Sequence, residues 1–99
     1  MALFLDKHYR LLSAEVLFMG SLDSAHVYTR VVASRALVHQ ATSVVVAHNQ
    51  PSGVLTPSHF NVAFNHKLSK ALMLFNIRLL DYLIAAEGRC VSRRNLGFV

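Results

Sequence analysis

The 99-residue chain holds one cysteine, two prolines, four glycines, no tryptophan and five acidic residues against ten basic ones. A single thiol, Cys90, excludes an internal disulfide and a zinc knuckle built from several cysteines. In an apparent strand it is expected to be a core or near-surface thiol, because a free cysteine usually behaves as a small hydrophobe. Long apolar runs are missing too. Runs such as Val44–Ala47 and Ala71–Phe75 fall far short of the ~20 residues that span a bilayer. The Met1–Leu5 opening is too short for a secretory apolar segment, has no basic residues before it and runs directly into Asp6-Lys7-His8. A cytoplasmic location is therefore expected, with no membrane association. The length suffices for one domain over 1–99 with a single modest core and excludes two.

The shortage of acidic residues leaves a net charge of +5. Its distribution matters more than its size. Lys7 and Arg10 flank a turn, Arg30 and Arg35 share one predicted helix, Lys67 and Lys70 another, and Arg89, Arg93 and Arg94 lie near the C-terminus. Only the last group forms a cluster in sequence. Without interleaved aromatic residues it lacks the stacking platform of a single-strand binder. Solvated surface is the expected role, with weak, salt-sensitive attraction to polyanions such as DNA.

Leu3–Leu5 and Leu11–Leu12 flank an Asp6–Arg10 turn, and Glu15–Met19 continues into Gly20, so an antiparallel ribbon is expected, ending near Asp23. Val27 to Gln40 has helical character. Val27, Val31, Ala36 and Leu37, taken with Val32 and Ala33 beside them, fall close to a three-to-four residue period; Arg30, Ser34 and Arg35 lie on the other side and Thr29 is a candidate cap. Val44–Ala47 is apolar on both faces, as expected of a central strand buried on both sides, and it delivers His48 at its C-terminal end. The only prolines, Pro51 and Pro57, fall with Gly53 in one irregular loop, and Ser58 stands where an N-cap would open a second helix with Asn61 at N3. In that helix Phe64, Leu68, Ala71, Leu72 and Phe75 form an apolar stripe that reads as core packing, while His66, Lys67 and Lys70 lie elsewhere. Ile77–Ile84, a Glu87-Gly88 turn and Arg89–Ser92 complete a β-β-α-β-α-β-β order, a sheet with helices packed on it.

The segment between the central strand and the second helix is the most specific. Ala47-His48-Asn49-Gln50-Pro51-Ser52-Gly53, followed by Thr56-Pro57-Ser58-His59-Phe60-Asn61, closely resembles the signature of RadC-like proteins, a bacterial branch of the JAB/MPN (JAMM) metallopeptidase superfamily. That signature reads His-Asn-His-Pro-Ser-Gly, then Thr-Pro-Ser and an Asp. Gln50 stands at the second His and Asn61 at the Asp. The resemblance extends through Asp6, Glu15–Ser24, Arg30–Val32, Arg35–Leu37, Ile77–Asp81, Gly88-Arg89 and Ser92, nearly the whole chain. It implies an α/β fold, an MPN (cytidine deaminase-like) mixed sheet with two main helices in one layered domain.

It also implies a zinc site. Residues i and i+2 of a strand point to the same side, so positions 48 and 50 would address one ion, with a third ligand from the first turn of the next helix at 61. The fourth position would hold a water made more acidic by the metal. Glu15 matches the family's proton-handling carboxylate and Ser58 the serine that steadies water or oxyanion. The metal positions are thus His48, Gln50 and Asn61, and only His48 keeps the family ligand. A carboxamide is a poor zinc ligand beside imidazole, and Asn61 lacks the anion that would offset the ion's charge. At very roughly 3 kcal/mol per good ligand, two poor ones weaken binding by several orders of magnitude. His59 and His66 do not share Asn61's inward direction on the predicted helix.

Other departures are Thr29 in place of a Pro, Val54 in place of an acidic residue and Tyr82 in place of a His. Met1 falls close to the first strand, where such proteins carry a preceding helix, so a truncated, decaying or repurposed copy is expected. Two functions follow from the resemblance. One is a zinc-dependent peptidase or isopeptidase-like hydrolase using Glu15, His48 and Ser58. The other, which the substitutions favour, is a non-catalytic MPN-type domain that interacts with protein or, through its Lys and Arg residues, with DNA; the RadC name is associated with DNA repair. A third expectation is that an uncovered sheet face or edge makes the chain marginal alone, or hidden in a homodimer.

Overall fold

The computed structural model describes residues 1–17, 25–49, 59–86 and 88–92. In chain order these form β1 (Ala2–Leu5), β2 (Leu11–Glu15), α1 (Ala25–Val38), β3 (Ser43–Asn49), α2 (His59–Met73), β4 (Arg78–Ala86) and β5 (Arg89–Ser92). The strands make one sheet in the order β2-β1-β3-β4-β5, with β3 and β4 parallel and every other pair antiparallel. The β-β-α-β-α-β-β order and the mixed sheet with two helices agree with the expected MPN-type fold.

The β1–β2 turn is organised by Asp6. Its Oδ1 accepts the backbone N–H of His8 at 2.8 Å and of Arg10 at 2.9 Å, while Oδ2 accepts Arg10 Nε at 3.0 Å. An aspartate that bonds backbone groups two and four residues ahead stabilises a reversal the backbone alone would leave open. Tyr9 takes a left-handed conformation there.

Both helices end in the same way. At the end of α1, the Ala41 N–H donates to Ala36 C=O and the Gln40 N–H to Leu37 C=O; at the end of α2, Ile77 donates to Leu72 and Asn76 to Met73. Gln40 (φ 55°) and Asn76 (φ 58°) hold the left-handed position between. These are Schellman closures, and Ala36, Ala41, Leu72 and Ile77 are all buried in the core. Each closure turns the chain directly into a parallel strand.

Ala2 and Phe4 of β1, Val44 and Val46 of β3, and Leu79, Tyr82 and Ile84 of β4 form the core with Tyr28, Val32 and Ala36 of α1 and Phe64, Leu68 and Leu72 of α2. The buried stripe of α1 is thus Tyr28, Val32 and Ala36, spaced by four. The expected set is corrected in part: Val27 and Leu37 are exposed at 54% and 45%. Valines and alanines are spread around α1, so periodicity alone does not fix its inner face. Thr29 lies inside α1 rather than at its cap, because the helix begins four residues earlier. In α2, Phe64, Leu68 and Leu72 are buried as expected, whereas Phe75 lies past the helix end and is half exposed. β2 stops at Glu15, so the expected strand is shorter; Leu17 packs against the core beyond it. Val44 and Val46 are buried, but Val45 and Ala47 only half so. They share the sheet's other face with half-buried Leu3, Leu5 and Leu83. Cys90 is exposed.

Two register slips set which side chains face the helices. Opposite β1, Leu12 is extra in β2, and opposite β3, Leu80 is extra in β4. Because side chains alternate with a period of two, one extra residue reverses the sense of everything after it. Leu79 before the slip and Tyr82 after it therefore both point at the helices.

Gln40 offers a direct check on the helix ends. Replacing it by glycine removes a left-handed strain of about 1–2 kcal/mol against a glycine entropy cost of about 0.5–1 kcal/mol. Gln40→Gly is expected to raise the urea unfolding free energy by up to about 1.5 kcal/mol; a fall would mean that the Gln40 side chain itself holds the closure.

Candidate functional site

The strand end that carries His48 is built by β3, β4 and the start of α2. His48 lies on the same side of β3 as Val44 and Val46, so it faces the helical layer, and it is half-buried. Its Nδ1 is 2.9 Å from the hydroxyl of Tyr82, a fully buried residue. The Leu80 slip makes this contact possible by turning Tyr82 inward. Tyr82 is edge-on to Phe64 with centroids 6.0 Å apart, and Phe64 is edge-on to Tyr28 at 6.1 Å. An aromatic series from α1 through α2 to β4 therefore ends on the imidazole and fixes its plane.

Asn61 is the third residue of α2, which begins at His59, matching the expected N3 position. Its side chain, together with Gln50 and Ser58, lies outside the described residues. Among the described residues, no group of three or more His, Cys, Asp or Glu is placed to hold a metal ion.

Glu15 is the last residue of β2 and pairs with Ala2, which in turn pairs with Val46. It therefore faces the helices, on the same side of the sheet as His48 but two strands away from β3, about 10 Å across the sheet. Its partners come from α1. Glu15 Oε1 accepts Arg35 Nε at 2.8 Å, Oε2 accepts Arg35 Nη2 at 2.9 Å, and Oε2 also meets His39 Nε2. The His39 ring lies 5.1 Å from that of Phe4. The hydrogen bonds from Arg35, followed by the contact with His39, pull the Glu15 carboxyl from its usual 4.5 down to about 2.

Sequence reasoning placed Arg35 on the solvent side of α1 and gave no role to His39. The signal was present: residues 35 and 39 are four apart, so they share one helix face and reach one carboxylate together. What could not be read was that β2 ends beside that face.

Among the described residues a cavity lies beneath this end of the sheet, between Ala2, Leu17, Tyr28, Val32, Val46 and Phe64. At about 20 Å³ it has room for about one water-sized probe, and its walls are apolar, so it is a packing gap rather than a substrate pocket.

Comparison with known proteins decides the family: a model described as RadC-like JAB domain matches residues 1–98. The chain belongs to the RadC-like JAB domain family. It is 45% identical over 97 residues to a UPF0758 protein of Ectopseudomonas mendocina, covering 98% of this chain and 43% of that protein. A UPF0758 protein of Stenotrophomonas maltophilia is 43% identical over 99 residues, 100% of this chain and 42% of its own length. One from Alcanivorax borkumensis is 45% identical over 97 residues, with 98% and 43% covered. The chain thus spans less than half the length of these relatives. No helix among the described residues is long and apolar enough to cross a membrane.

JAB domains are generally associated with zinc. One imidazole with carboxamides at 50 and 61 is not a zinc donor set, since neither amide supplies the charge or basicity that imidazole and carboxylate bring. The residues at these three positions do not fit the ion.

The Glu15 clamp has a signature in acid. A carboxyl held below its unfolded value contributes stability above about pH 4.5 and loses it as pH falls towards about 2. Urea midpoints of the natural chain are expected to drop across that window. In Glu15→Gln the drop should shrink to the part left by Asp6, whose carboxyl the backbone N–H of Arg10 also holds low. Identical acid profiles for both proteins would show that the clamp does not form in solution.

Proposed function

We propose that this RadC-like JAB domain is a non-catalytic MPN-type module, derived from a zinc-dependent metallopeptidase frame and kept for interaction rather than hydrolysis, in the cytoplasm. The observation that carries this reading is the state of Glu15. General-base catalysis works best with a pKa near the operating pH, and a carboxylate engaged by a guanidinium and an imidazole, with a pKa of about 2, is a weak proton acceptor. Its side chain ties β2 to α1, which is a structural task.

The substitutions at 50 and 61 support the same reading. With imidazole at 48 and carboxamides at 50 and 61, these three positions offer one good donor instead of three, too few to hold an ion tightly or to make a bound water acidic at neutral pH. The fold outlasts such losses because its core of Phe4, Val44, Leu68, Leu72 and Tyr82 includes none of the proposed ligands.

Titration of the purified chain against a competing chelator tests the proposal, beside the Gln50→His, Asn61→Asp double variant. The natural chain is expected to take up no zinc under conditions where the double variant binds one equivalent. Tight stoichiometric zinc in the natural chain would instead favour an active metallohydrolase, with Glu15 and Ser58 in the roles the family resemblance implies. Zinc in neither protein would mean that the loop scaffold, and not only the ligands, has been lost.

A further inference from the structure

The cations of this chain are dispersed in sequence, but the fold gathers three of them. Arg30 of α1 and Lys67 and Lys70 of α2 line, with Thr29, an open groove between the two helices of about 350 Å³. All three cationic residues are exposed. Lys67 and Lys70 are three apart on α2, so their Cβ atoms are about 5–6 Å from one another. Arg30 faces them from the other helix, across a helix-to-helix distance of about 8–10 Å.

No carboxylate of the helical layer offsets this charge, because neither α1 nor α2 contains an Asp or Glu. Arg35, the other cation of α1, is taken up by Glu15. Among the described residues the remaining carboxylates are likewise occupied elsewhere: Asp6 with Arg10 in the β1–β2 turn, and Asp81 with the Ser92 hydroxyl. No ion pair among the described residues engages Arg30, Lys67 or Lys70. Three like charges placed together repel one another, and a bound anion reverses that cost.

We propose that this groove binds the phosphate backbone of nucleic acid, without reading its sequence. The lining decides the ligand. Among the described residues its lining is three cations and Thr29, whose apolar surface is the stems of those same side chains, and it includes no aromatic residue, so it has charge to offer a ligand and no platform for a base. A phosphodiester strand, which offers closely spaced charge and asks only for cations, matches it. The chain's net charge of +5 steers such a ligand from a distance, and the groove gives it a place to settle. None of these residues belongs to the His48 end of the sheet. The zinc titration and the groove experiment therefore fail or succeed independently.

Fluorescence anisotropy of a labelled short DNA duplex of arbitrary sequence, titrated with the full chain at increasing salt, provides the test. The natural chain is expected to bind with affinity that falls steeply with salt. The triple variant Arg30→Gln, Lys67→Gln, Lys70→Gln should flatten the slope of log K against log salt by about 2.7, at about 0.9 per phosphate contact. It should also weaken binding at low salt by about tenfold or more. A control triple, Lys7→Gln, Arg78→Gln, Arg89→Gln, removes the same charge from exposed positions elsewhere and should change the slope far less. Circular dichroism establishes that each variant is folded; if the groove triple is not, Arg30→Gln and Lys70→Gln singly should each flatten the slope by about 0.9. Equal losses in groove and control variants would overturn the proposal, reducing the attraction to net charge. So would failure of the natural chain to bind duplex, or displacement of the duplex by poly-glutamate at equal charge, which would point to an acidic protein partner.

Discussion

The parallel pairing of β3 with β4, slipped by one residue at Leu80, is the constraint on which the rest of this domain depends. Parallel neighbours need a crossover, and α2 provides it, laying Phe64, Leu68 and Leu72 on the sheet. The slip lets β4 present Leu79, Tyr82 and Ile84 to the same core although they are not evenly spaced in sequence. Without it Tyr82 would face away from α2, and His48 would lose both its hydrogen-bond partner and the aromatic series behind it. One extra residue in an interior strand thus links the core to the candidate site.

Glu15 and Arg35 show the same economy at the opposite edge. β2 is an edge strand, and its residues are largely exposed apart from Ser13 and Glu15. A bidentate guanidinium–carboxylate contact fixes direction as well as distance, so it orients α1 over β1 and β2 where apolar burial is thin. A carboxylate used in this way is a joint between elements. The same atoms cannot at once be a strong proton acceptor.

Much of this was legible in the residues. The alternation of strands and helices, the α2 stripe of Phe64, Leu68 and Leu72, and the placement of Asn61 at N3 follow from periodicity and from the Pro51–Pro57 loop signal. The inner face of α1 was not legible, because a helix with valine and alanine on several sides offers no contrast; Tyr28, rather than Val27, turns inward. Neither slip was legible, since an extra leucine beside leucines leaves no mark in a hydrophobic pattern. For the site, the motif pointed to His48, which stands near the end of β3, while Gln50, Ser58 and the side chain of Asn61 lie outside the described residues. The Arg35 and His39 partners of Glu15 and the meeting of Arg30 with Lys67 and Lys70 are long-range consequences of helix packing, to which local patterns are blind.

The direction of the two helices has a further consequence. β2, β3 and β4 run the same way, and α1 and α2 run back against them, so both helices begin at the edge of the sheet where β2 and β3 end. Each helix start carries roughly half a positive elementary charge from its aligned peptide groups. Neither first turn contains an acidic residue. The end of the sheet that carries His48 therefore lies in a positive potential drawn from the backbone itself. With asparagine at 61 the first turn of α2 supplies no anion to offset that potential, so the backbone's own field at this edge is left uncompensated there.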